Sequence, residues 1–286
     1  MLARIPAHRF CDQNDTYRAG WAELLGISRE ESFPLHECHV CRFVFAGLLP
    51  DDEFLRTLYD RVIDDVRAAD EAQAPRWLGH QLTVAARLLE KLADRPGAVQ
   101  RVLDFGCGRG VLVRALRGPR LACSGYEPSG PARAEAEAEG LRVFATLEEA
   151  AADAPFHGVI LSDVLEHVAE PRAVLRSVHA LVGDGGWVVV GVPDFSPKRL
   201  AAALSGACMR ELNLFEHLNY FSPDSLARML DGAGFTPDLE GHASFGLRVS
   251  ARGARRWGNL ARSAARVARF AVRPHATSTM LAAQKR

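Results

Sequence analysis

Val102-Leu103-Asp104-Phe105-Gly106-Cys107-Gly108-Arg109-Gly110 decides how this chain is read. Its first four residues form a short apolar run of the kind that becomes a buried strand, and three glycines at alternate positions then force a turn. A helical pattern follows over residues 110–117. Glycine is required in such a turn because it tolerates positive φ and lets a ligand approach the backbone closely. The helix behind it offers unpaired N–H groups at its start. Glu127 closes the next apolar run, where a doubly wound nucleotide fold places the acid that accepts hydrogen bonds from ribose hydroxyls. The spacing is G-x-G-x-G, with Val111 where a dinucleotide fingerprint would have its third glycine, and Asp104 precedes the first glycine. A pyrophosphate favours a bare helix N-terminus, whereas an amino-acid ligand with an ammonium group favours a nearby carboxylate. A tight turn without any ligand is the competing reading, and it leaves Glu127 unexplained.

Outward from this turn, short apolar runs at 101–105, 121–126, 142–144, 158–162 and 186–192 read as strands. Helical spacing marks 110–117, 131–139, 171–181 and 223–232, and 277–283 suits a final strand. Strands alternating with helices predict a parallel sheet with crossover connections. Upstream, Asp51 and Asp52 are placed to cap a helix carrying Phe54, Leu55, Leu58, Tyr59 and Val62. A second helix is expected from Trp77, Leu78, Leu82, Ala85, Leu88, Leu89 and Leu92. Residues 1–50 cluster Cys, His and aromatics instead. The chain therefore divides into a compact module at 1–50, a helical lid or linker at 51–97 and the main domain at 98–286.

VLDFGCGRG resembles the first motif of the class I S-adenosylmethionine-dependent methyltransferases, and GYEPS resembles the second. GVILSDVLEHVAEPRAVLRSVHALVGDGGWVVVGVPD is similar to their fourth and fifth strand regions, and ELNLFEHLNYFSPDSLARMLDGAGF to the segment that follows in the small-molecule branch. The resemblance spans residues 98–250 and implies an α/β, Rossmann-like doubly wound fold with a mostly parallel sheet. It implies that Gly106, Cys107, Gly108 and Gly110 wrap the methionine part, that Glu127 beside Pro128 holds the ribose, and that Ser162 and Asp163 line the cofactor. Asp104 would orient the turn or serve the ammonium group. No adenine contact is identifiable near Phe144 to Leu147.

Methyl transfer from a sulfonium asks mainly for alignment, exclusion of water and, with a hydroxyl acceptor, removal of a proton. Glu166 and His167 follow the fourth strand, and Glu216 and His217 follow the fifth. Three readings stand side by side. His167 or His217 acts as the base, with Glu166 beside them; or these residues cap helices and line the cleft; or Asp163, Glu166 and His167, at i, i+3 and i+4, share one helical face and hold a divalent cation with His217. The last arrangement is similar to metal-assisted O-methyltransferases acting on ubiquinone precursors or the 3′ ends of small RNA, which carry Glu at the position of Asp163. The expected reaction is transfer to a small-molecule acceptor, foremost O-methylation of a sugar or secondary metabolite. An RNA-directed enzyme and a non-catalytic cofactor-binding subunit are the alternatives.

His8-Arg9-Phe10-Cys11 and Cys38-His39-Val40-Cys41 make an H-x2-C … C-x2-C pattern of the type that closes a tetrahedral zinc site. The surrounding text resembles the zinc-ribbon-like segment preceding many bacterial sugar and natural-product methyltransferases, although His8 stands where those have Cys. A structural zinc on His8, Cys11, Cys38 and Cys41 is thus expected, a metal-free knuckle held by packing being the alternative. Residues 252–273 carry Arg255, Arg262, Arg266, Arg269 and Arg273 on one face, with no acidic residue. This predicts a basic amphipathic helix suited to solvent, to an anionic or carrier-linked substrate, or to a membrane surface. Apolar residues make up 48% and charged residues 24%, and formal net charge is zero, so overall charge points to neither nucleic acid nor lipid. No run is long enough for a membrane helix and the first residues do not read as a secretory signal, so a cytoplasmic location is expected.

Overall fold

The computed structural model describes residues 1–7, 26–28, 30–58, 74–93, 99–206, 212, 216–239 and 278–286. His8, Cys11, Tyr59, Val62 and the basic segment 252–273 lie outside the described residues. The chain divides into two compact units interleaved along the sequence: Glu71–Val164, Arg172–Val192 and Ala227–Arg286 form one, and Met1–Asp70, Leu165–Pro171 and Pro193–Leu226 the other.

The first unit is built on a seven-stranded sheet. In chain order its strands are β4 (Gln100–Phe105), β5 (Leu121–Tyr126), β6 (Val143–Phe144), β7 (Phe156–Ser162), β8 (Val182–Pro193), β10 (Phe235–Asp238) and β11 (Ser278–Lys285). They lie in the order β10-β11-β8-β7-β4-β5-β6, with all pairs from β6 to β8 parallel and β10–β11 antiparallel. The expected parallel sheet is therefore present, and its order reverses direction at β4, where a doubly wound sheet leaves a crevice beyond the strand ends. Val102, Leu103, Val159, Ile160, Leu161, Val188, Val189 and Val190 are completely buried, as strands covered on both faces must be.

The helix Ala74–Leu92 covers this sheet, and Val84, Ala85, Leu88, Leu89 and Leu92 recur along it at helical spacing. They pack with Val102, Ile160 and Val189, each fully buried leucine contributing about 1.5–3 kcal/mol. Gly158 makes the approach possible, since a Cβ there would sit 2.7 Å from both Leu88 methyls. Three features escape the sequence pattern. The helix Leu147–Ala152 is short, yet it is fixed by a reciprocal cap: Thr146 accepts from the Glu149 N–H and Glu149 accepts from the Ala145 N–H. The helix Pro197–Leu204 is likewise short. Strand β10 contains Pro237, which its place at the sheet edge tolerates.

The second unit holds a four-stranded antiparallel sheet in the order β1 (Ala3–Pro6), β2 (Ser32–Glu37), β3 (Val44–Ala46) and β9 (Asn219–Tyr220). Its last strand comes from far along the chain. Val44 pairs with Tyr220, and Ile5, Leu35, Val44, Phe195, Leu212, Leu218 and Tyr220 share one core. Among the described residues no helix is long and apolar enough to cross a membrane.

Candidate functional site

The glycine turn stands at the end of β4 as anticipated, with Gly106, Gly108 and Gly110 at φ 75°, 51° and 73°. These left-handed values exclude most other residues without strain. The turn is tied to the end of β5 by three bonds. The N–H groups of Gly106 and Cys107 both donate to the Tyr126 carbonyl, at 2.8 and 3.0 Å. The Gly108 N–H donates to Glu127 Oε2 at 2.8 Å, while the other oxygen of that carboxylate accepts from the Ser129 N–H at 2.8 Å. Glu127, 9% exposed, thus joins the loops after two neighbouring strands. Pro128, next to it, is exposed.

Asp104 lies beneath this turn, 4% exposed. Burial, with a further push from the Glu127 charge, raises its carboxyl to about 7. The Cys107 side chain turns away into the core against Gly125, and burial pushes its thiol far above the ordinary range, so it is not a nucleophile. At the end of β7, Ser162 is buried and its hydroxyl lies 3.4 Å from Asp163 Oδ2. Asp163 adopts φ 55° and its N–H donates to the Gly191 carbonyl at 2.9 Å. No helix starts there. Residues 163–170 form a turn and the helix Pro171–Leu181 begins beyond them, so the shared helical face pictured for Asp163, Glu166 and His167 does not exist. The positive φ at Asp163 breaks the helical path, and its carboxylate instead meets His80 Nε2 at 3.4 Å. That histidine went unnoticed in the sequence, since one imidazole on an amphipathic helix carries no signal of its own.

In the other unit the structure brings together Glu166, His167 and His217, with one ligand atom from each lying within 4.8 Å of the others. Glu166 is 1% exposed, and His167 Nε2 stands 3.8 Å from its Oε1. His167 Nδ1 lies 2.9 Å from the Glu216 carbonyl. A carbonyl only accepts, so Nδ1 carries a proton, and in the neutral ring Nε2 keeps the lone pair that suits a base or a metal ligand. The backbone frames the group closely: Leu218 and Asn219 N–H groups donate to the Glu166 carbonyl, and the Asn219 amide donates to the carbonyls of Leu165 and Val168 at 3.0 and 2.6 Å. This buried Asn219 was not singled out in the sequence.

Cys38 and Cys41 occupy the turn between β2 and β3. The Cys38 N–H donates to Phe43 O at 2.8 Å, the Arg42 N–H donates to Cys38 O at 2.9 Å, and Arg42 takes φ 60°.

The sheet order and the glycine turn braced by an acid at the next strand end define a class I S-adenosylmethionine-dependent methyltransferase. Residues 77–240 match the family model described as a methyltransferase domain, and the chain belongs to that family. It is 32% identical to a ubiquinone biosynthesis O-methyltransferase of Aeromonas salmonicida, over 57% of this chain and 78% of the relative. It is 36% identical to a protein of the same name from Ruegeria pomeroyi, over 50% of this chain and 63% of that one. Among solved structures, the plantazolicin methyltransferase BamL, in complex with a triazolic desmethylPZN analog and SAH, shares the fold at a TM-score of 0.60 and 15% identity, covering 80% of this chain and 93% of its own.

If Asp104 serves the ligand's ammonium group as the sequence suggests, its raised pKa predicts a pH-dependent affinity. A ligand ammonium favours the ionised carboxyl, whereas the empty site favours the proton. Binding of S-adenosylhomocysteine should therefore tighten as pH rises from 6 to 8, by up to about tenfold for a carboxyl half-protonated near 7. The fold itself responds in the opposite sense: with a pKa raised above its unfolded value, this group's contribution to stability is complete below pH 3.8 and is lost as pH rises through 7. Calorimetric titrations at several pH values measure the first effect, and a flat affinity across that window would contradict it.

Proposed function

We propose that the chain transfers the methyl group of S-adenosylmethionine to a hydroxyl of a small molecule, with assistance from a divalent cation held by Glu166, His167 and His217. The convergence of these three side chains in one cluster carries this reading, and the names of the relatives agree with oxygen as the acceptor atom. In the donor half, Gly106, Gly108 and Gly110 would let the backbone wrap the methionine portion. Glu127 would accept from the ribose hydroxyls, Asp104 would serve the ammonium group, and Ser162 and Asp163 would line the cleft.

The donor set of the cluster, one carboxylate and two imidazoles, suits a divalent ion. Such an ion supplies Lewis acidity that lowers the pKa of an acceptor hydroxyl. The residues do the rest. Glu166, His167 and His217 would hold the ion, His167 through Nε2 because its Nδ1–H is engaged by the Glu216 carbonyl, and the acidified hydroxyl would give up its proton to solvent as the methyl group leaves the sulfonium. A vicinal diol or catechol, on a sugar, a secondary metabolite or a quinone precursor, would offer two oxygens to such a site, whether free or linked to an anionic carrier. We place this activity in the cytoplasm. We also assign the 1–50 module a structural zinc on His8, Cys11, Cys38 and Cys41. Support comes from the tight Cys38–Arg42 turn, in which the residue after the second cysteine is left-handed.

Glu127→Ala should weaken S-adenosylhomocysteine binding by about tenfold or more, because two backbone donors lose their charged acceptor along with the ribose. Calorimetry that returned the unaltered affinity would remove Glu127 from the site. For the cluster, Glu166→Gln and His217→Ala should each weaken Mn²⁺ binding about tenfold or more while leaving donor affinity in place. Chelation should slow methyl transfer to a catechol acceptor; an unaltered protein that ignores both Mn²⁺ and chelator would overturn the metal reading. Native mass spectrometry should find one zinc per chain, lost on combining His8→Ala with Cys38→Ala, and a zinc-free native sample would exclude the knuckle site.

A further inference from the structure

A buried ionisable side chain that the proposed chemistry does not use sits at the edge of the donor half. His80, on the helix Ala74–Leu92, has a side chain only 17% exposed, and its Nε2 lies 3.4 Å from Asp163 Oδ1. The sequence makes room for it. At Gly191 a Cβ would come within 3.3 Å of His80 Nε2 and 2.7 Å of a Val84 methyl, so a side chain there would displace the imidazole. Burial works to lower the imidazole pKa and the Asp163 carboxylate outweighs it, leaving His80 above its ordinary value.

Asp163 gives the pairing its meaning. It is one of two non-glycine residues at positive φ among those described, and strain of that kind persists only where surrounding contacts impose it. Three contacts do so: its N–H on the Gly191 carbonyl, the Ser162 hydroxyl beside Oδ2, and His80 at Oδ1. The carboxylate nevertheless remains 45% exposed, so the imidazole steadies it without enclosing it. A steadied carboxylate at the end of β7 suits a cationic ligand.

We propose that His80 is a positioning residue of the donor site, holding the Asp163 carboxylate in the orientation that S-adenosylmethionine meets. This rests on the donor reading given above. A residue acting only through another leaves a signature in a double-mutant cycle. His80→Ala and Asp163→Asn should each weaken S-adenosylmethionine binding by about tenfold, the order expected for the loss of a coupled charged contact. The double variant should be no weaker than the weaker single one. His80→Gln, which keeps an amide donor at a similar reach, should stay within about threefold of the unaltered chain, with melting curves recorded for all four variants. Calorimetry on the full chain, with both S-adenosylmethionine and S-adenosylhomocysteine, reads these effects. Full additivity in the double variant, or unaltered affinity in a folded His80→Ala protein, would overturn the positioning role. Failure of the unaltered chain to bind either ligand would instead overturn the donor reading and this inference with it.

Discussion

The carboxylate of Glu127 is the interaction on which the donor half depends. Three glycines in a row of five residues would leave the turn after β4 free to wander, because glycine gives up more conformational entropy on ordering than any other residue. One carboxylate meets that problem at both ends by accepting from Gly108 in this loop and from Ser129 in the loop after β5. The Tyr126 carbonyl adds a second clasp through Gly106 and Cys107. On the proposed assignment the ordering cost is thereby met in folding and not in ligand binding, which is how a preorganised site gains affinity. The same carboxylate has an electrostatic consequence, since its charge joins burial in keeping the Asp104 proton on.

Most of the sheet was legible in the sequence because its signals are local. Fully buried parallel strands read as continuous apolar runs, and RVLDF and GVILS lie within a residue or two of the observed β4 and β7. The helix Pro171–Leu181 matched its periodicity residue for residue. The glycine turn and Glu127 were legible for a different reason, in that few backbones tolerate alternate left-handed residues. What escaped was long-range. Residues 1–50 give β1, β2 and β3 short alternating stretches without helical period, and the partner of β3 is Asn219–Tyr220. No local pattern announces a two-residue strand whose partner lies so far along the chain. His80 and Asn219 escaped likewise: each is a single polar residue whose role exists only through partners on other elements. The helical face imagined for Asp163 failed because spacing alone cannot reveal a positive φ.

Within the unit built on β1, β2, β3 and β9, the sheet and the cluster share one hydrogen-bonded framework. The Ala46 N–H donates to the Leu218 carbonyl, and the Leu218 N–H donates in turn to the Glu166 carbonyl. His217 therefore stands two residues before a strand held on one side by the N-terminal hairpin and on the other by the backbone of the very residue whose carboxylate it faces. Asn219 locks the turn from Leu165 to Val168 with its amide, which satisfies two buried carbonyls that the turn cannot pair internally. Rigid placement of this kind suits the proposed role of the cluster, because a shift of one ångström in any member of a metal site is costly to binding.

The charge distribution of the donor half also bears on direction. S-adenosylmethionine carries a positive sulfonium that disappears when the methyl group leaves, whereas its ammonium group persists. A donor site whose acids repel one another, as Glu127 and Asp104 do, is relieved by a cationic ligand. Interaction that weakens as reaction proceeds would cost rate if it fell wholly on the sulfonium, because only interactions stronger in the transition state accelerate the chemical step. Acids assigned to the ammonium and the ribose avoid that cost, since those groups are unchanged by transfer. On the proposed assignment Asp104 and Glu127 thus act as uniform binding elements, contributing to affinity for the donor without opposing the chemical step.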